Sequence, residues 1–196
     1  MRWLLAALLL AAAPAVAQAP SVAPQAQAPR AAAPNPRRAE LDRLLDELAR
    51  APDGEHATII ETRIRSLWAQ GASPAVTLLM RRGLRNLAGN APDEAVEDFD
   101  AALALQPSLP DAFILRAQAL ASLGDARAAA ADIQRALALE PRHFGALVAL
   151  AQILSEAGDH AGALRAFEAA LALNPRMQDG QRQRDEYRRR AEGEAM

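Results

Sequence analysis

Catalysis needs a base, a nucleophile or a metal held within hydrogen-bond reach of a substrate, and this chain of 196 residues offers few such groups. Its histidines, His56, His143 and His160, do not stand at metal-ligand spacing from one another, and cysteine is absent. No HExxH, GxSxG, P-loop or GxGxxG pattern occurs. Acidic pairs such as Glu97-Asp98 fall where a solvated helix face would put them. The expectation is a protein that is not an enzyme, with no catalytic residue, no metal ligand, no cofactor and no small-molecule substrate. The histidines are expected at turns or on the surface.

Composition narrows the class further. The 22 basic residues are all arginine, and against 24 acidic residues they leave a formal net charge of −2, so bulk charge offers nothing to nucleic acid. Hydrophobic residues make up 51% of the chain but aromatics only 4%, and about one residue in four is alanine. A core of small side chains and leucine suits closely packed helices. Without cysteine there are no disulfides and no acylated cysteine to anchor a lipoprotein, so packing alone must stabilise the fold.

The elements are legible in order. Met1-Arg2, the apolar run Trp3 to Ala13 and Ala15-Val16-Ala17 fit a signal peptide over residues 1–17, cleaved before Gln18. The uncharged run is too short for a spanning helix, which needs roughly 20 apolar residues. The chain is therefore expected to be exported, to the periplasm of a bacterial cell, and to touch a membrane only through an uncleaved leader. Residues 18–38, rich in Ala and Pro with Pro20, Pro24, Pro29, Pro34 and Pro36, read as an extended linker.

Beyond it, Pro107, Pro141 and Pro175 recur every 34 residues, each closing a near-identical segment: AALALQP, RALALEP and AALALNP. Blocks at 76–109, 110–143 and 144–177 align Gly83 with Ala117 and Ala151, Ala95 with Ala129 and Ala163, and Ala102 with Ala136 and Ala170. Phe99, Ile133 and Phe167 share a column, as do Leu105, Leu139 and Leu173, which an alanine-rich composition does not explain. Each block predicts two helices, near 75–88, 92–105, 110–122, 126–139, 144–156 and 160–173. Small residues allow close approach, and the large column fills the space between stacked hairpins. Gly89-Asn90, Gly124-Asp125 and Gly158-Asp159 supply the turns between them.

These columns resemble the tetratricopeptide repeat family over residues 76–177. The resemblance implies an all-α, right-handed superhelical solenoid of antiparallel helix hairpins, whose first helices line a concave groove that receives a protein or peptide partner. On that geometry Thr77, Met80, Leu84 and Leu87, then Ile114, Gln118 and Ala121, then Val148, Gln152 and Ser155 face the groove. Family members that clamp a terminal carboxylate carry Lys, Arg and Asn where this chain has Met80, Leu84, Ile114, Gln118, Val148 and Gln152, so an apolar peptide or amphipathic helix is the expected ligand.

The flanks are helical too. Glu40 to Arg50 places Leu41, Leu44, Leu45 and Leu48 on one stripe, and Glu55 to Gln70 places Ile59, Ile60, Ile64 and Leu67 on another. Residues 39–72 therefore read as a degenerate repeat or N-terminal helical hairpin, with Trp68 in packing. Residues 178–196 read as a polar capping helix, with Asp185-Arg189 and Glu186-Arg190 four apart. The functional expectation is an adaptor or scaffold. Self-association, an accessory role beside an enzyme, and a groove covered by the N-terminal hairpin remain open alternatives at this level.

Overall fold

The computed structural model describes residues 35–194. The leader expected over 1–17, and the linker as far as Pro34, lie outside the described residues. Those that are described form helices α1 (Pro36–Leu48), α2 (Gly54–Ala69), α3 (Pro74–Ala88), α4 (Pro92–Leu105), α5 (Pro110–Ser122), α6 (Ala126–Leu139), α7 (Phe144–Glu156), α8 (His160–Leu173) and α9 (Gly180–Glu194), with no strand among them.

Local chemistry sets the starts of these helices. Pro36, Pro74, Pro92 and Pro110 each occupy the first helical turn, where the missing N–H has no partner to lose. Asn35, Asp53, Ser73, Asp125 and Asp159 cap their helices by accepting a backbone N–H two or three residues on. Asn35 and Pro36 thus end the linker early: residues 36–38, expected in the spacer, form the first turn of α1. Within each repeat the turn is made by one left-handed residue, and these also recur every 34 positions: Asn90 (φ 57°), Gly124 (φ 84°) and Gly158 (φ 87°). In the first turn Asn90 takes this role and Gly89 does not.

The pairs α3–α4, α5–α6 and α7–α8 stack in sequence through the small-residue columns. Ala95, Ala129 and Ala163 are buried, as are Ala102, Ala136 and Ala170. Phe99, Ile133 and Phe167 are fully enclosed between them. Gly83 sits so close to Phe99 that a Cβ there would lie 2.6 Å from the ring, which explains the glycine at the head of that column. At the far end α9 covers α8, with Tyr187 tilted against Phe167 at 5.1 Å between centroids. Glu186 pairs with Arg190 as its spacing predicts, whereas Asp185 pairs with Arg184 and Arg188 rather than Arg189.

Of the two readings of residues 39–72, the helical hairpin is the one observed. It does not stack as a further repeat ahead of α3. Instead α1 and α2 lie across the edge formed by the three loops that follow the repeats, two leading to the next repeat and the third to α9. Leu41, Leu44, Leu45, Leu48, Ala57, Ile64, Leu67 and Trp68 bury themselves against Phe144, with Leu173 and Met177 alongside. Ile59, assigned to the buried stripe, is instead exposed. The hairpin could not act as a repeat because Glu61 and Trp68 stand where small residues would be needed, and both are used elsewhere: Glu61 accepts from Asn174 Nδ2 at 2.5 Å, and Trp68 packs on Phe144.

A polar column completes the docking. The residue before each repeat-closing proline is Gln106, Glu140 or Asn174, and each turns to the hairpin. Gln106 Nε2 donates to the Gly71 carbonyl at 2.8 Å, and Glu140 accepts from Arg38. Arg142 adds ion pairs to Asp42 and, at 2.8 Å, to Asp46. His143, expected near the surface, is buried: its Nδ1 accepts the Ala146 N–H at 3.1 Å to cap α7, and its Nε2 lies 3.1 Å from Asp111.

Candidate partner-binding groove

The first helices of the three repeats, α3, α5 and α7, lie side by side, and their shared face is concave. Leu84 and Leu87 from α3, Gln118 and Ala121 from α5, and Gln152 from α7 line one open concavity of about 420 Å³. Ala88, Ser122, Ala149, Ile153 and Glu156 complete it. Leu84 is 45% exposed there, an apolar side chain held out to solvent by its helix. Glu156 is the one charged side chain in the lining, and it accepts from Gln152 Nε2 at 3.0 Å. The surface can reward apolar contact and bond a peptide backbone through its amides, and it holds no cation to clamp a carboxylate.

The other residues assigned to the groove fall elsewhere. Thr77 and Met80 line a smaller hollow of about 130 Å³ together with Ala69, Ala72, Arg81, Leu109 and Asp111, where the end of α2 meets the array. Ile114 is buried in the core between α5, α6 and α7, so it faces inward rather than into the groove. Val148 packs on the cluster of Ala151, Ala166, Phe167 and Leu171, and Ser155 is buried beneath α9, where it accepts from Arg190 Nη1 at 3.1 Å. The capping helix therefore closes the groove at its C-terminal end, which a repeat pattern ending at residue 177 could not reveal. The hairpin contributes no residue to the lining of the main concavity.

Ala88, Ser122 and Glu156 were missed by sequence reasoning. They stand one turn beyond Leu84, Gln118 and Gln152 and share their own column every 34 residues, so the signal was present.

A second set of repeated polar residues supports the groove from behind. Asp98, only 1% exposed, is bound by Arg82 and by Asn86 Nδ2 at 2.9 Å. One repeat later Asp132 is bound by Arg116 through two nitrogens, at 2.7 and 2.6 Å. Arg116 also reaches back to Asp100 of the preceding repeat at 2.5 Å. The carboxylates hold the Arg116 guanidinium above its usual pKa, chiefly through the bond to Asp132, against the opposing effect of burial. In the third repeat the same two columns are Leu150 and Ala166, and the ion pair is replaced by apolar packing.

Family models for the tetratricopeptide repeat match residues 110–143 and 144–177. Two copies of that repeat are thus detected. Their boundaries coincide with α5–α6 and α7–α8, each with its following loop. Solved tetratricopeptide domains share the fold. The Sgt2 domain from Aspergillus fumigatus is 24% identical, with a TM-score of 0.57, over 62% of this chain and 82% of that one. The first such domain of Spaghetti (RPAP3), bound to the HSP90 peptide SRMEEVD, is 21% identical at the same TM-score, over 64% of this chain and 99% of its own. The TPR2B domain of yeast Sti1, in a complex with an Hsp70 peptide, is 22% identical, with a TM-score of 0.57, over 62% and 99%. No curated protein sequence matches significantly. The described chain is thus an all-α solenoid of tetratricopeptide type, an architecture whose stacking creates extended concave surfaces suited to binding other proteins.

Proposed function

We propose that this chain is a periplasmic adaptor that holds a partner protein through the concavity between α3, α5 and α7. One observation carries this reading: residues from three successive repeats converge on a single open surface that is about equally apolar and polar, with amides at Gln118 and Gln152 and one charge at Glu156. Such a surface fits an amphipathic helix or an extended apolar segment. Two of the similar solved domains carry peptides of Hsp90 or Hsp70. This groove lacks cations for an acidic peptide tail, so the reading assigns it a different, apolar ligand. Export rests on the sequence alone, through the leader over residues 1–17. Among the described residues no helix is long and apolar enough to cross a membrane.

The test is crosslinking in the envelope fraction with the tagged native protein beside a Leu84→Arg, Gln118→Arg variant of matching helicity. A partner captured by the native groove and lost with the variant supports the adaptor. The same proteins captured by both, or none by either, rules out this surface as the working one.

A further inference from the structure

We propose that the open end of the solenoid, formed by Leu78, Arg81, Arg82 and Arg85 of α3, is a second docking face and takes an acidic amphipathic helix from a partner protein. These four positions form one stripe, spaced as neighbours along a helix face. Their equivalents, one and two repeats on, are the residues through which α5 and α7 pack against the repeat before them. Ala112 and Ala119 of α5 and Ala146 of α7 are fully buried in this way, and Ala149 and Ile153 of α7 nearly so. On α3 the stripe is bare: Leu78 is 65% exposed, and Arg81, Arg82 and Arg85 are exposed. The N-terminal hairpin, which by chain order would cover this face, lies across the loop edge instead.

The arginine at the centre of the stripe shows what is missing. Arg116, the equivalent of Arg82, holds two carboxylates: Asp132 of its own repeat and Asp100 of the preceding helix, across the stacking interface. Arg82 holds the matching carboxylate of its own repeat, Asp98, but among the described residues no helix stacks ahead of α3 to offer the second. Its side chain is accordingly 58% exposed, where that of Arg116 is 24% exposed. Arg81 and Arg85 have no ion pair with any described residue. Glu97 is the nearby acid on α4, and it acts on Arg82.

Charge selects the occupant. A purely solvated end would mix signs, as α9 does at the other terminus, but α3 carries three arginines and no acid. Two copies meeting end to end would oppose these arginines to one another. A head-to-tail copy would present α9, which already covers α8 and whose five arginines outnumber its four acids. A helix with an apolar stripe flanked by carboxylates meets both the exposed Leu78 and the unshared charge.

The chain itself supplies a probe. Residues 92–105 form the helix that packs on the equivalent stripe of α5, and they hold five acids and no base. Residues 126–139 do the same for α7 with two arginines and one aspartate. A labelled, helix-stapled 92–105 peptide titrated into the purified full-length protein should bind saturably by fluorescence anisotropy, more weakly as salt rises. Changing Asp100→Asn in the peptide, or Arg81→Glu with Arg85→Glu in a protein of unchanged melting temperature, should weaken binding by about tenfold. A Gln118→Glu, Gln152→Glu groove variant should bind as the native protein does. The proposal is overturned by no saturable binding, by equal binding of the 126–139 peptide, by indifference to Arg81 and Arg85, or by loss in the groove variant. A salt-sensitive dimer abolished by Arg85→Glu would give the face to a second copy and overturn it as well.

Discussion

Trp68 lies flat on His143, with ring centroids 3.7 Å apart and planes 14° from parallel. The tryptophan belongs to the N-terminal hairpin and the histidine to the loop between the second and third repeats, so this stack joins parts of the chain that are remote in sequence. Phe144 closes the contact from the side at 5.3 Å, and Arg65 sits over its ring. The Trp68 Nε1 is buried without a hydrogen-bond partner among the described residues, so shape and apolar burial hold the ring in place.

Replacing Trp68→Ala should destabilise the fold by about 3–5 kcal/mol, the usual range for emptying a buried aromatic site. Trp68→Phe should lose much less, because it discards a buried N–H that has no partner. Urea denaturation of the two variants checks the order. A Trp68→Phe protein as unstable as Trp68→Ala would mean that the indole N–H has a partner after all.

Glu140 is buried, yet it accepts from Arg38, which is half exposed. Glu140→Leu should weaken hairpin docking by about 1.5–3 kcal/mol, the range for a hydrogen bond to a charged group. Hydrogen exchange should then quicken in α1 and α2 while α7 and α8 keep their protection. Uniform loss of protection would show that hairpin and array unfold as one unit.

His143 combines two tasks that substitution can separate. Asn at this position can still accept the Ala146 N–H and cap α7, but it loses the stack on Trp68 and the contact with Asp111. His143→Ala loses all three. The alanine variant should be less stable than the asparagine variant by about 1 kcal/mol, the usual value of an N-cap. Equal stability would show that the cap adds nothing and leave His143 its stack and its contact with Asp111.

Ala129 is fully buried where α6 meets its neighbours. Ala129→Glu forces an unpaired carboxylate into that contact and should lower stability by more than about 3 kcal/mol, read as a large fall in melting temperature. An unchanged melting curve would refute the repeat register itself.

The helices of the array were legible because each depends on local signals repeated three times. Five of the six predicted spans coincide with the observed helices, and the sixth begins one residue early, where Ser73 caps and Pro74 opens α3. The candidate groove was legible in part. Leu84, Leu87, Gln118, Ala121 and Gln152 meet because the 34-residue period places them in register. Ile114, Val148 and Ser155 went astray because column position fixes a direction from the helix axis but not what another element lays over it. The docking site of the hairpin was hidden for the same reason: its amphipathic stripes declared that it must be buried, while the surface that buries it is assembled from three loops far along the chain. The one written clue was the polar residue before each proline, whose partners no local pattern could name.

That polar column gives the hairpin the character of a ruler, whose length is set by α2. Its 16 residues span about 24 Å at 1.5 Å per residue. The three loops that follow the repeats, each set about 8–10 Å from the next by helix packing, fit along that length, and a fourth does not. Solenoids ordinarily gain and lose units by duplication and deletion because each unit answers only to its neighbours. Here an inserted repeat would carry a Gln, Glu or Asn beyond the reach of the hairpin, and a deleted one would strand Gly71, Arg38 or Glu61. Copy number in this array is therefore tied to the length of a single helix outside it.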